Sequence, residues 1–109
     1  MLDFLRKWAG IGSPDWAGLK RAGAQVVDVR SPEEYRAGHV PGSVNIPLDR
    51  LDQAMSRLRR DLPVITCCVS GMRSAAARGI LERRGFGTVV NGGNWAGLQQ
   101  RLKQAAAQE

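Results

Sequence analysis

Short runs rich in β-branched residues alternate with stretches of helical spacing along this chain. Gln25–Val29 is nearly all apolar, which predicts a strand buried on both faces of a sheet. Val64–Cys67 and Thr88–Val90 predict two further strands, and a proline-bounded segment around Ser43–Ile46 predicts a shorter one. The polar residues cluster between these runs. The pattern therefore indicates buried strands separated by amphipathic helices.

Helical spacing fills most of the gaps between the predicted strands. Ser31-Pro32-Glu33-Glu34 has the form of a helix cap and first turn, Ser74–Arg84 is rich in alanine, and Trp95–Ala105 predicts a terminal helix. One long amphipathic helix is predicted from leucine and methionine side chains at spacings of three and four, namely Leu48, Leu51, Met55, Leu58 and Leu62. The alternation predicts an α/β fold, with a mostly parallel central sheet of about five strands and helices on both faces. Ligands of such sheets bind beyond the carboxyl ends of the strands.

With 109 residues and 11.9 kDa, the chain is long enough for a single small domain and too short for two. We assign the domain to residues 13–109 and treat residues 1–12 as an N-terminal extension that could form a short helix. We expect its apolar side chains to cover a sheet edge, with docking on a second copy ranked second and contact with a membrane ranked last. No apolar run approaches the roughly 20 residues that cross a bilayer. We therefore expect a cytoplasmic monomer or homodimer that does not bind membranes.

The net charge of +6 is distributed unevenly. Acids and bases balance as far as Ala54, and all of the excess follows. The later bases are Arg57, Arg59, Arg60, Arg73, Arg78, Arg83, Arg84, Arg101 and Lys103, against only Asp61, Glu82 and Glu109. Such a field attracts small anions or nucleic acid, although it also suits a solvated helix face. Because these bases lack interleaved aromatic residues, we expect no nucleic-acid partner.

The two cysteines, Cys67 and Cys68, are neighbours, so a disulfide between them would be strained and both are expected to be free thiols. Strand alternation turns them to opposite sides. Cys68 stands at the tip of a predicted strand, before a short loop with a glycine, an arginine and a helix start. The loop amides, the helix N-terminus and Arg73 would together favour the thiolate and lower the pKa of Cys68.

The loop Cys68-Val69-Ser70-Gly71-Met72-Arg73-Ser74 resembles the active-site loop of the rhodanese sulfurtransferases, Cys-x-Ser-Gly-x-Arg-Ser, without a gap. Upstream, the segments 28–35 and 38–47 are similar to the first signature of that family. Downstream, Gly85-Phe86, Val89-Val90 and Gly92-Gly93 fit its closing pattern. The resemblance extends from about Val26 to Gly93, and three ordered motifs at compatible spacing are more specific than any one of them.

This resemblance implies a rhodanese-like domain in which Cys68 attacks the outer sulfur of thiosulfate or a similar anionic donor. A persulfide would form on Cys68, and its sulfur would pass to a thiol or to cyanide. The resemblance implies substrate binding by the loop residues Val69, Ser70, Gly71, Met72, Arg73 and Ser74, with Arg73 holding the donor anion. No metal or organic cofactor is expected. The apolar Met72 at the mouth would favour a protein or thiol acceptor.

Two other functions remain open at this point. The chain could be a persulfide carrier or binding module of the same fold that does not turn over. It could also be a phosphatase or arsenate reductase, because Cys67 and Arg73 are spaced as Cys-x5-Arg. We prefer the shorter register from Cys68, since the family match assigns Cys67 to the strand and Thr66 stands where a phosphatase loop would have histidine.

Four residues outside the loop are candidates for supporting roles. Asp28 and Arg30 leave the carboxyl end of a strand, and we expect them to brace the neighbouring loops. His39, the one histidine, is expected to bond loop backbone rather than to act as a base. Cys67 is expected to be a buried apolar side chain, the alternative being a resolving thiol.

Overall fold

The computed structural model describes residues 14–107, so the N-terminal extension of residues 1–12 lies outside the described part of the chain. The elements follow in the order α1 (Trp16–Arg21), β1 (Gln25–Asp28), α2 (Pro32–Ala37), β2 (Val44–Asn45), two 3₁₀ helices (Leu48–Gln53 and Met55–Arg57), β3 (Val64–Cys68), α3 (Met72–Arg83), β4 (Val89–Asn94) and α4 (Trp95–Ala107). None of the helices in this range is long and apolar enough to cross a membrane.

The sheet is parallel throughout, and its strands lie in the order β2-β1-β3-β4. Residues 14–107 form four strands, where we had predicted about five. All four runs of strand character form strands, and no fifth strand forms within residues 14–107. β3 lies between β1 and β4, so its carboxyl end, at Cys68, opens onto the middle of the sheet edge.

Helices cover both faces of the sheet, as predicted. On one face the 3₁₀ helices and α3 enclose a core of Val27, Val29, Ile46, Leu51, Met55, Leu58, Val64, Cys68, Ala77, Leu81, Phe86 and Val89. On the other face α1 and α4 pack over Val40, Ile65, Cys67 and Leu98. Because side chains alternate along a strand, Cys67 and Cys68 enter different cores.

The predicted amphipathic helix between Leu48 and Leu62 is wrong in type. Two short 3₁₀ helices form there, and the first ends at Ala54, whose φ of −112° lies outside helical geometry. A 3₁₀ helix repeats every three residues, so apolar spacing of three fits it as well as an α-helix. The burial of Leu51, Met55 and Leu58 follows the pattern that the sequence predicts.

Candidate active site

The side chain of Cys68 lies beneath the short segment 69–73, which we call the Cys68 loop. Its Sγ atom accepts hydrogen bonds from the backbone N–H groups of Gly71 at 3.0 Å and Ser74 at 3.4 Å. The thiol donates to the Ser74 hydroxyl over 3.5 Å. Cys68 is 0% exposed, so the loop encloses a sulfur atom on which several polar groups converge.

The pKa of Cys68 reflects two opposing influences. Burial disfavours the charged form and raises the pKa. Hydrogen bonds from the Ser74 hydroxyl and from the backbone amides of Ser74, Gly71 and Arg73 favour the thiolate, and they prevail. The pKa of Cys68 therefore lies below its ordinary value of 9.0. A lowered pKa enlarges the fraction of the nucleophilic thiolate near neutral pH.

Gly71 makes the tight course of the Cys68 loop possible. Its φ of +92° lies in the left-handed region, where a side chain is strained. Gly71 is also the N-cap of α3, so the chain turns from β3 into that helix within a few residues. This turn brings the amides of Gly71 and Ser74 to the same sulfur atom.

The Arg73 guanidinium forms an ion pair that the sequence did not predict. Its Nη1 and Nη2 atoms donate to the two carboxylate oxygens of Glu34 at 2.8 and 3.1 Å. Glu34 also accepts from the backbone N–H of Ser31, which completes a capping box at the start of α2. While it is paired with Glu34, Arg73 joins the start of α2 to the Cys68 loop. Its positive charge still interacts favourably with the Cys68 thiolate.

The Arg73–Glu34 ion pair makes the site sensitive to acid pH. Hydrogen bonds from Arg73 and from Ser31 lower the pKa of Glu34 from 4.5 to about 2. Because this pKa is depressed on folding, the stability that the pair contributes is complete above pH 4.5 and declines as the pH falls towards 2, where the Glu34 carboxylate is protonated and the pair itself breaks. An NMR titration of the Glu34 carboxyl should have its midpoint well below 4.5. Arg73→Met should return the midpoint towards 4.5, and an ordinary midpoint in the unsubstituted chain would contradict the pairing.

Asp28 and Arg30 form a buried ion pair at the end of β1. The Arg30 Nη2 atom lies 2.7 Å from the Asp28 carboxylate, and the two side chains are 4% and 0% exposed. The same nitrogen donates to the Gly38 carbonyl at 2.6 Å, and the guanidinium lies 4.8 Å from the centre of the Trp95 ring. The pair thus connects the loop after β1, the turn after α2 and the start of α4.

His39 lies in the turn after α2. Its Nδ1 atom is 2.7 Å from the Tyr35 carbonyl oxygen, and its ring stacks on that of Tyr35 with centroids 3.8 Å apart. The Tyr35 hydroxyl donates to the Ser43 carbonyl at 2.6 Å. These contacts are those of a residue that orders the turn before β2.

The Cys67 side chain lies in the core on the opposite face of the sheet from Cys68. It is 0% exposed, and burial together with the nearby Asp28 carboxylate raises the pKa of its thiol to about 12. A thiol with that pKa is protonated at neutral pH and is a poor nucleophile. The geometry favours the buried apolar interpretation of Cys67 over a resolving thiol.

Two asparagines of β4 contact the Cys68 loop, and the sequence analysis missed both. The Asn91 Nδ2 atom donates to the Gly71 carbonyl at 3.1 Å, and the Asn94 Nδ2 atom donates to the Val69 carbonyl at 2.8 Å. The Asn91 Oδ1 atom also accepts from the Ser74 hydroxyl at 2.6 Å. The available signal was that both follow closely on the predicted strand Thr88–Val90, at the rim of the sheet.

An open groove of about 740 Å³ begins beside Arg73 and runs along the ends of β1 and β2. It is lined by Val29, Ser31, Pro32, Pro47, Leu48, Asp49, Arg50 and Arg73. Within residues 14–107, no three His, Cys, Asp or Glu side chains lie close enough together to hold a metal ion. The chemistry that this arrangement supports is nucleophilic attack by one activated thiol.

Comparison with known families identifies the family of this chain. The model of the Rhodanese-like domain matches residues 13–97, which is most of the chain. This chain belongs to the rhodanese-like family. A solved structure of the family, described as rhodanese with anions from E. coli, superposes with a TM-score of 0.61 at 33% identity and covers 68% of this chain and 89% of the other.

Curated members of the rhodanese-like family differ in what is known of them. This chain is 40% identical over 75 residues to the uncharacterized protein YqhL of Bacillus subtilis, covering 69% of this chain and 58% of that protein. It is 36% identical over 66 residues to the putative sulfur carrier protein YrkF of the same organism, covering 61% and 36%. It is 34% identical over 73 residues to the thiosulfate sulfurtransferase GlpE of Pseudoalteromonas translucida, covering 67% and 70%. The match therefore spans less than two thirds of the first two relatives.

Proposed function

We propose that this chain is a sulfurtransferase that receives sulfane sulfur from thiosulfate on Cys68 and passes it to a thiol or to cyanide. The observation that supports the proposal best is the convergence of the Gly71 and Ser74 amides on the Cys68 sulfur. Donors around a thiol both favour the thiolate and prepare a site for a second negatively charged sulfur. The relative named thiosulfate sulfurtransferase supports the same donor.

The reaction divides into two displacements at sulfur. The Cys68 thiolate attacks the outer sulfur of thiosulfate, a sulfur–sulfur bond forms, and sulfite leaves with the electron pair of the bond that breaks. An acceptor thiolate or cyanide then attacks the outer sulfur of the persulfide, and the Cys68 thiolate leaves. Each displacement creates or consumes an anion beside the loop amides, so the same donors stabilise both steps.

Because Cys68 is 0% exposed, the Cys68 loop has to shift enough to admit donor and acceptor while its amides stay beside the sulfur. The loop is held to the body of the protein by polar contacts, namely those of Arg73 with Glu34, of Gly71 with Asn91 and of Val69 with Asn94. Val69 and Met72 point outward, with 47% and 78% of their surfaces exposed. A loop with a solvated outer surface and few apolar anchors opens at a modest cost in free energy.

The apolar rim formed by Val69 and Met72 favours a thiol on a protein as the acceptor. They are the large apolar residues that stand exposed within residues 14–107, and both border the mouth of the site. Exposed apolar side chains gathered at one place are typical of a contact surface. The groove that begins beside Arg73, next to Met72 in the chain, offers further surface for such a partner.

Met72→Ser should therefore separate the two acceptors. Transfer to a protein thiol, with reduced thioredoxin as the probe, should lose up to about tenfold in kcat/KM, since part of a methionine side chain is no longer buried on docking. Transfer to cyanide should stay near that of the unsubstituted chain. Met72→Leu, which keeps an apolar side chain, is the matched control. Equal effects of Met72→Ser on both acceptors would contradict the proposed contact surface.

Mass spectrometry of the intact chain after exposure to thiosulfate tests the function itself. We expect an adduct of one sulfur atom on Cys68 that is removed by cyanide. A stable adduct without turnover would indicate the carrier function that the relative named as a putative sulfur carrier suggests. Absence of any adduct would overturn both.

The phosphatase alternative finds less support. In the Cys-x5-Arg register the loop would have to surround the sulfur of Cys67. The Cys67 side chain is instead buried in the core on the face opposite to Cys68. We therefore expect no hydrolysis of an aryl phosphate by a preparation that transfers sulfur.

A further inference from the structure

A loop that surrounds an anion has to direct its N–H groups inward and its carbonyl groups outward. The outward carbonyls need partners of their own, since a carbonyl that turned inward would repel the anion. In the Cys68 loop two carbonyls accept from carboxamide side chains, and that of Gly71 also accepts the backbone N–H of Ala75 at 3.0 Å. Asn94 donates to the carbonyl of Val69 at 2.8 Å, and Asn91 donates to the carbonyl of Gly71 at 3.1 Å.

Further hydrogen bonds fix the orientation of both carboxamides. The Oδ1 atom of Asn91 accepts from the backbone N–H of Gly93 at 2.9 Å, and that of Asn94 accepts from the backbone N–H of Gly97 at 3.0 Å. Turning either group over would set its NH₂ against an N–H and its oxygen against a carbonyl. The NH₂ groups are therefore held on the loop side.

A β-bulge brings both asparagines to the same loop. Thr66 of β3 pairs with Asn91 of β4, whereas Cys68 pairs with Asn94, so two steps along β3 match three along β4. In a regular strand, residues three apart point to opposite faces. The extra residue lies in Gly92–Gly93, where Gly93 has a φ of +72°, and it restores Asn94 to the side of Asn91.

We propose that Asn91 and Asn94 are positioning residues that hold the carbonyls of the Cys68 loop away from the sulfur, so that the loop amides face the negative charge. Neither side chain touches the reacting sulfur. Both act through the backbone of the loop. The proposal deepens the proposed function, and it rests on that function only where it concerns the persulfide.

Asn91 has a second effect through Ser74. The Ser74 hydroxyl has a single proton and two acceptors, the Asn91 Oδ1 atom at 2.6 Å and the Cys68 sulfur at 3.5 Å. While Cys68 is a protonated thiol, the S–H donates to Ser74 and the Ser74 hydroxyl donates to Asn91. When Cys68 loses its proton, the hydroxyl turns to the thiolate, and Asn91 keeps the Gly93 N–H. Asn91 thus accepts the hydrogen bond of the Ser74 hydroxyl when Cys68 is protonated and loses it when Cys68 is a thiolate.

The pH dependence of Cys68 alkylation by iodoacetamide tests these roles without any sulfur donor. Asn91→Asp retains the acceptor contacts but replaces the NH₂ with an anionic oxygen, so it repels the Gly71 carbonyl and the thiolate. We expect it to raise the apparent pKa of Cys68 by about one unit and to slow alkylation near neutral pH about tenfold. Asn94→Asp and the uncharged Asn94→Ala should also raise the pH midpoint of Cys68 alkylation, but by less than Asn91→Asp does.

Gln100→Glu, on an exposed position of α4, is the matched control, because it makes the same change of charge away from the loop. It should leave the alkylation profile unchanged. The proposal is overturned if all variants share the profile of the unsubstituted chain, or if Gln100→Glu shifts it as much as Asn91→Asp does. A purely structural role would lower the thermal midpoint and leave the alkylation midpoint in place. Failure of the proposed function would give a different result, because the unsubstituted chain would then form no sulfur adduct with thiosulfate.

Discussion

Cys68→Ser should abolish the transfer of sulfur from thiosulfate to cyanide, with a loss of about a thousandfold or more, because a hydroxyl forms no persulfide. The structure gives a reason to expect so complete a loss. Cys68 is the thiol on which the amides of Gly71 and Ser74 converge, and burial raises the pKa of the neighbouring Cys67 to about 12. A steady-state thiocyanate assay measures the effect, and mass spectrometry should find no sulfur adduct on the variant.

Cys67→Ala is the matched control for that experiment. The substitution leaves a small cavity in the core between the sheet and α4, at a cost of about 1 kcal/mol in stability. It removes no donor from Cys68, so most of the activity should remain. A comparable loss of activity in both variants would refute the assignment of Cys68 as the nucleophile.

Asp28→Asn should be the most destabilising of the substitutions considered. Arg30 is 3% exposed, and the change leaves its positive charge buried without a counter-ion. Breaking a buried ion pair from one side costs about 3–5 kcal/mol, a large fraction of the stability of a small domain. A urea denaturation curve should show the midpoint moving to much lower concentration with little change in slope.

A double variant separates the buried charge from the shape of the site. Asp28→Leu combined with Arg30→Met removes both charges, and it should be more stable than Asp28→Asn because no unpaired ion remains. Asp61→Asn disrupts the exposed pair with Arg59 and should leave the midpoint where it was. If Asp28→Asn resembled Asp61→Asn, the buried pair would contribute little to the stability of the fold.

Local pattern was sufficient to predict the positions of the four strands, the capping box at Ser31 and the terminal helix. It was also sufficient for the opposite burial of Cys67 and Cys68, because alternation along a strand is a property of the backbone itself. It failed between Leu48 and Leu62, where leucines spaced by three or four fit either a 3₁₀ or an α-helix. The strand count was overestimated because no further run of strand character exists within residues 14–107.

The loop around Cys68 was predictable as a donor site, but its supports were not. The partner of Arg73 is Glu34, which lies 39 positions away, and only the tertiary fold makes them neighbours. Asn91 and Asn94 were missed for a different reason. Their spacing predicts opposite faces, and the bulge that reverses this prediction depends on the register of β4 against β3.

The strand pleat that turns Cys67 and Cys68 to opposite faces of the sheet would also protect a persulfide on Cys68. A thiolate next to a persulfide on Cys68 would attack the Cys68 Sγ atom, form a cysteine–cysteine disulfide and displace the outer sulfur as hydrosulfide. The nearest such thiol along the chain points through the sheet into the other core, protonated and out of reach. On the proposed function, a persulfide on Cys68 would therefore not react with Cys67, and its outer sulfur would stay available for transfer to another molecule.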